Sequence, residues 1–125
     1  MIKKIGTVGI YVEDQKKALS FWTDKVGFEL RNNIDMGNGM AWLEVAPKGA
    51  ESCLVIYPKQ LMTNFEELKP SIVFICENIE QVCENLKEKG VHFSKELSEM
   101  GWGKFASFTD EDGNEFGLKG QNEYN

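Results

Sequence analysis

One pattern is written twice in this chain, and that constrains its fold more than any other feature. "DMGNG" at Asp35–Gly39 and "EMGWG" at Glu99–Gly103 share an acid, Met, Gly, one free position and Gly, and the second begins 64 residues after the first. The segments in front of them agree as well. "TVGIYVEDQKKALSFWTDKVGFEL" begins at Thr7 and "SIVFICENIEQVCENLKEKGVHF" at Ser71, again 64 residues apart. Each opens with an apolar strand and then an acid and an N-cap residue, Asp14 or Asn78. Each continues as an amphipathic helix. Ile79, Val82, Cys83 and Leu86 follow the i, i+3, i+4, i+7 spacing, and Ala18, Leu19, Trp22 and Val26 nearly do. Gly27 and Gly90 supply the stop signals.

Behind each Met-Gly-x-Gly come two strands. Met40–Val45 and Ser52–Tyr57 are joined around "APKGAE", while Lys104–Thr109 and Asn114–Lys119 are joined by the hairpin signal "DEDG". Each half therefore reads β-α-β-β-β. The fold class is α+β, with two tandem βαβββ modules in a single domain spanning 1–125. Module one covers about 1–57 and module two about 71–119. The polar, proline-bounded "PKQLMTNFEELKP" at 58–70 is the expected linker. A chance match of four residues would not bring a whole element order with it, so duplication is the better account. The Met-Gly-x-Gly stretches are then matching joints whose glycines bend the backbone into the next strand.

Several function classes fall away on composition. A chain of 125 residues has enough interior to fold without staples. It contains no apolar run near the length of a membrane span, and its first residues lack the apolar core of a signal peptide. Net charge is −6 and no basic stripe is evident, which argues against nucleic acid. The acidic balance serves mainly solubility. Cys53, Cys76 and Cys83 are odd in number and scattered, the pattern of reduced thiols in a cytoplasm.

Strand parity sorts the side chains into two faces. Val8, Ile10, Val12, Leu54, Ile56, Ile72, Phe74, Cys76, Phe116 and Leu118 share one face, and all are apolar. That face is expected to meet the helices. The other carries Thr7, Gly9, Tyr11, Cys53, Val55, Tyr57, Ser71, Val73, Ile75, Glu115, Gly117 and Lys119, joined by Trp42, Glu44, Phe105, Ser107 and Thr109 from the neighbouring strands. Its large aromatic side chains argue against a merely solvated sheet and for a ligand cleft or a subunit contact.

The paired modules, the opening strand ending in Val-Glu-Asp, "VGFEL" after the first helix and the closing "WGKFASFTDEDGNEFGL" resemble the vicinal oxygen chelate superfamily, the glyoxalase, bleomycin-resistance and extradiol-dioxygenase group. The likeness runs over roughly residues 3 to 119, with Glu111 where the family usually has Pro. It implies a curled mixed sheet enclosing a cleft, and a homodimer. It also implies a divalent metal held by four strand side chains, usually His and Glu. Those positions fall here on Thr7, Val55, Ser71 and Gly117. None is a His, Glu, Asp or Cys, and a neutral hydroxyl is a poor ligand for a transition metal. With His92 as the one histidine, a two-His site within a subunit is excluded as well. The expectation is no metal and no cofactor.

Other chemistry finds little support. Ser71, Ser107 and Cys53 could face the cleft, but no spacing suggests a triad. Glu44 and Glu115 are candidates for acid–base work or for the rim. "DEDG" lacks the remaining ligands of a calcium loop. Cys76, Cys83 and Trp22 read as packing residues.

The favoured reading is a metal-independent small-molecule binding protein of the glyoxalase/bleomycin-resistance type, cytoplasmic and homodimeric, with no nucleic-acid or membrane partner. Metal-free members of the resembled family include antibiotic-sequestering proteins, so an aromatic or cationic ligand is expected. Tyr11, Trp42, Tyr57, Trp102 and Phe105 would wall the cleft, and Glu44 and Glu115 would supply negative charge. Thr7, Val55, Ser71, Ser107 and Gly117 complete the candidate lining. Two readings stay open beside it. One is a lyase- or isomerase-type enzyme with non-standard ligands, and the other a dimerisation or partner-binding module with a vestigial cleft.

Overall fold

Both expected N-caps form. Asp14 Oδ1 accepts the Lys17 N–H at 3.1 Å, and Asn78 Oδ1 accepts the Gln81 N–H at 3.2 Å. Each bond satisfies a donor that a first helical turn leaves without a partner. The structure is a computed structural model, and it describes residue 1 and residues 5–61, 72–100 and 103–120. The chain divides into two compact units, Met1–Pro70 and Ser71–Asn125.

In the first unit the order is β1 (Thr7–Val12), α1 (Gln15–Ser20), a π-helical turn (Phe21–Val26), β2 (Glu29–Gly37), β3 (Met40–Ala46) and β4 (Cys53–Pro58). The sheet runs β1-β4-β3-β2, with β1 parallel to β4 and the other pairs antiparallel. The second unit repeats that order with β5 (Ile72–Cys76), α2 (Ile79–Glu88), β6 (His92–Met100), β7 (Gly103–Thr109) and β8 (Glu115–Gly120), in a sheet running β5-β8-β7-β6. Two tandem βαβββ modules are thus present, as the fold class requires. Pro58, expected to open the linker, instead ends β4, and a 3-10 turn at Lys59–Leu61 follows it.

Parity separated the two faces only in part: Val8, Ile72 and Phe74 of the apolar set are half-buried, and Val55 and Ser107 of the other face are buried. Ile10, Val12, Leu54, Ile56, Cys76, Phe116 and Leu118 are buried, and α1 packs on β3 and β4 while α2 packs on β6, β7 and β8. The first helix departs from a simple reading. It is α-helical for six residues and then widens into a π turn. Thr23 Oγ1 donates to the Leu19 carbonyl at 2.8 Å, a back-bond that bends helices. The wider turn buries two consecutive rings, Phe21 and Trp22, which explains why a 3.6-residue period only nearly matched. Trp22 lies 5.3 Å from Phe21 and 5.2 Å from Phe28, ring centre to ring centre.

The first Met-Gly-x-Gly makes the turn between β2 and β3. Gly37, Asn38 and Gly39 have φ of 86°, 55° and 76°, a left-handed run that only glycine and asparagine enter cheaply. The Asp35 carboxylate caps it by accepting the Gly37 N–H at 2.9 Å. Residues 101 and 102 of the second copy lie outside the described residues.

"DEDG" joins β7 to β8, but it is not wholly solvated. Asp110 is buried, with Oδ1 accepting the N–H groups of Asp112 and Asn114 and Oδ2 accepting the Asn114 amide. Burial pushes this carboxyl upward, against those hydrogen bonds.

Candidate functional site

On the face of the first sheet turned from the helix, register brings side chains of three strands together. Thr7 lies beside Cys53, Gly9 beside Val55 and Tyr11 beside Tyr57, and Glu44 stands on the far side of Val55. Thr7, Gly9, Tyr11, Trp42, Val55 and Tyr57 line a cavity of about 250 Å³. Three rings wall it edge to face. Tyr11 and Tyr57 are 6.2 Å apart at 84°, and Trp42 and Tyr57 are 6.1 Å apart at 85°. Gly9 leaves the floor low, since a Cβ there would lie 3.4 Å from the Tyr11 hydroxyl.

Glu44 is not among the lining residues. Its carboxylate accepts the Trp42 indole N–H at 2.6 Å and the Asn32 amide at 3.1 Å. These two bonds hold the Glu44 carboxyl below its ordinary value of 4.5; partial burial opposes them and the Cys53 thiol assists. The acid is therefore ionised at neutrality and fixes one edge of the Trp42 ring. An indole N–H bound to a carboxylate also makes the ring a better partner for a cation.

The sign of the shift sets a pH dependence. A lowered folded-state pKa means that the contribution of Glu44 is complete above pH 4.5 and is lost as pH falls through the lower folded value. The Trp42 emission and indole resonance are expected to hold steady from neutrality down to about that pH and to change only below it. In Glu44→Gln this acid transition should vanish. A Trp42 transition unaltered in that variant would assign it to another group.

One residue that sequence reasoning passed over is central here. Gln15, first in α1, donates from Nε2 to the carbonyls of Ala41 at 2.6 Å and Ile56 at 2.9 Å, and its Oε1 accepts the Ala41 N–H at 3.0 Å. It bridges β3 and β4 just behind Trp42 and Tyr57. An uncharged residue behind an N-cap carries no signal of that role.

In the second unit the expected lining residues fare differently. Phe105 lies against Gly117, where a Cβ would come within 2.8 Å of its ring and 3.1 Å of Val73. Ser107 is buried and shares a hydrogen bond of 2.8 Å with the Ser94 hydroxyl. Glu115 is exposed at the start of β8. Ser71 and Trp102 lie outside the described residues.

The residues do not fit a divalent metal. Thr7 offers a hydroxyl, Val55 an aliphatic side chain that is 2% exposed, and the space for any side chain at position 117 is taken by Phe105. Register places Val55 and Gly117 at equivalent points of the two sheets, opposite Gly9 and Val73. Among the described residues no three His, Cys, Asp or Glu side chains are grouped to hold a metal. Gly117→Glu is accordingly expected to cost about 1–3 kcal/mol through overpacking and to create no zinc or manganese affinity. Adding Phe105→Ala should recover part of that loss in urea unfolding. Tight metal binding by the single variant would overturn the fit argument.

Cys76 and Cys83 are buried, and burial pushes the Cys76 thiol up to about 11, with Cys83 adding to it. His92 is exposed at the start of β6. Among the described residues no helix is long and apolar enough to cross a membrane.

Comparison with known proteins agrees with this architecture. Residues 4–118 match the family model described as the Glyoxalase/Bleomycin resistance protein/Dioxygenase superfamily. The uncharacterized protein YetH of Bacillus subtilis (strain 168) is 57% identical over 119 residues, covering 95% of this chain and 99% of that protein. A crystal structure of a member of the same superfamily from Sphaerobacter thermophilus DSM 20745 superposes with a TM-score of 0.86 at 30% identity, covering 96% of this chain and 98% of that one. TnmS3, described as an antibiotic binding protein from Streptomyces sp. CB03234, superposes at 0.84 with 31% identity, covering 97% and 98%.

Proposed function

Since this chain belongs to the glyoxalase/bleomycin resistance protein/dioxygenase superfamily, we propose that it is a metal-independent binding protein for an aromatic or cationic small molecule. The observation that carries this reading is the cavity of the first sheet, walled by Tyr11, Trp42 and Tyr57. Among the described residues no Lys, Arg or His lines it, and the ionised Glu44 holds the Trp42 indole N–H. Such a site attracts a π-system or a positive group and repels an anion. At about 250 Å³ it is smaller than most pockets for whole drug-sized molecules, so it suits a ring or an ammonium group of a larger ligand. The antibiotic-binding relative TnmS3 supports the same class of function.

In this reading the protein is a cytoplasmic homodimer. Three free cysteines suit a reducing compartment. Leu30, Ile34 and Met36 leave apolar surface exposed on the edge strand β2, which suits a second copy. Sedimentation tests the dimer.

Titration with a panel of aromatic and cationic compounds, followed by Trp emission, tests the binding. Saturable quenching or a spectral shift is expected, unchanged by a chelator and lost in Trp42→Phe. No response across a diverse panel, or a response that disappears with chelation, would count against the reading.

A further inference from the structure

The corner where two strands part company is built differently in the two sheets. In the second, β7 and β8 pair over five positions, from Thr109 with Glu115 to Phe105 with Lys119. In the first, β3 and β4 pair only at Val45 with Leu54, Glu44 with Val55 and Leu43 with Ile56. Two residues further on, Ala41 would face Pro58, and proline has no N–H to give. The Gln15 amide stands in for the missing strand bonds, taking both backbone groups of Ala41 and the carbonyl of Ile56. Counting from the N-caps and along the registers, Gln15, Ala41 and Pro58 correspond to Ile79, Lys104 and Gly120. Those three are packed closely: a Cβ on Gly120 would lie 3.3 Å from Ile79 and 3.6 Å from Lys104. One corner is closed by hydrocarbon, and the other is held by an amide.

We infer that Gln15 is the positioning residue of the aromatic cavity and thereby sets which ligands fit it. This rests on the cavity being the ligand site. The two residues whose carbonyls Gln15 binds are each followed by a wall ring: Ala41 precedes Trp42, and Ile56 precedes Tyr57. By fixing both backbones from the helix side, the amide fixes the 6.1 Å edge-to-face spacing of those rings on the opposite side. The width of the cavity therefore depends on a residue that does not line it. A different spacing selects a different ligand, because a flat polycycle and a compact ammonium group need different gaps between the same two rings.

The test compares benzyltrimethylammonium, with a single ring, and proflavine, with three fused rings, on wild type, Gln15→Glu and Gln15→Met at neutral pH. The Trp42 indole resonance of the ligand-free protein is recorded for each. Gln15→Glu keeps the side-chain length and the acceptor for the Ala41 N–H but loses both donors. The ratio of the two dissociation constants is expected to change at least fivefold in either variant, with the indole resonance displaced. A general loss of stability would weaken both probes together and leave the ratio alone. Adding Pro58→Ala to Gln15→Met supplies a backbone donor for Ala41, so it should raise the thermal midpoint while the ratio stays altered. An unchanged ratio and an unmoved resonance in Gln15→Glu would overturn the inference. If wild type binds neither probe nor any panel compound, the binding reading fails. An unmoved indole resonance in Gln15→Glu would then reject the positioning role separately.

Discussion

Phe108→Ala should remove about 3–5 kcal/mol of folding stability, the usual cost of emptying a phenyl-sized space in a packed core. Phe108 is fully buried and is the hub of a ring cluster. Its ring lies 5.5 Å from Phe116, 6.3 Å from Phe93 and 6.4 Å from Phe74, and Phe74 is itself 6.0 Å from Phe116. Three neighbours on three different strands cannot all move inward to refill the gap, so relaxation recovers little of the loss. For a domain of this size the thermal midpoint should fall by roughly 10–20 °C. Urea unfolding of Phe108→Ala beside Phe74→Ala measures it. Phe74 is only half-buried, so its truncation should cost distinctly less. Equal losses would mean that the cluster has no hub, and a loss below about 1 kcal/mol would mean that it carries little stability.

On the binding side, Trp42→Ala is expected to weaken the titrating ligand by about thirty-fold or more, the effect of truncating a central aromatic anchor by some 2 kcal/mol. The change removes one wall and leaves Glu44 without its indole donor, so part of the loss comes from a carboxylate less well held. Gly9→Val separates the two causes. It fills the floor of the cavity against the Tyr11 ring, with a Cβ at 3.4 Å from the Tyr11 hydroxyl, and leaves Trp42 and the Glu44 charge as they are. Valine suits a strand, so folding should hold while binding falls to a similar extent. Calorimetric titration of both variants decides the point. Full affinity in a folded Gly9→Val would place the ligand elsewhere on the molecule.

Much of this architecture was legible in the residues. Asp14 and Asn78 marked helix starts because a cap needs only a short polar side chain three residues before a free N–H. Alternation separated Ile10, Val12, Leu54 and Ile56 from Thr7, Tyr11 and Tyr57, because a pleated strand forces successive side chains to opposite faces. The same parity put Trp42 and Glu44 on one face. It did not reveal that Glu44 would turn to the indole of Trp42 rather than into the cavity, since that depends on rotamers and on Asn32 from the neighbouring strand. The apolar spacing of the first helix only nearly fits one helical pitch, because the π turn changes that pitch between Ser20 and Phe21.

The sequence by itself determined the element order, the helix caps and the alternation that assigns strand residues to two faces. Those properties are local: each follows from residue type and from a spacing of a few positions along one chain segment. Only the tertiary structure decided that Gln15 would hold Ala41 and Ile56, which lie 26 and 41 residues away, and that Phe105 would occupy the space above Gly117. Such contacts depend on which strands become neighbours, in what register, and where a proline withholds a donor. Residue type limits those choices, but the packed backbone makes them.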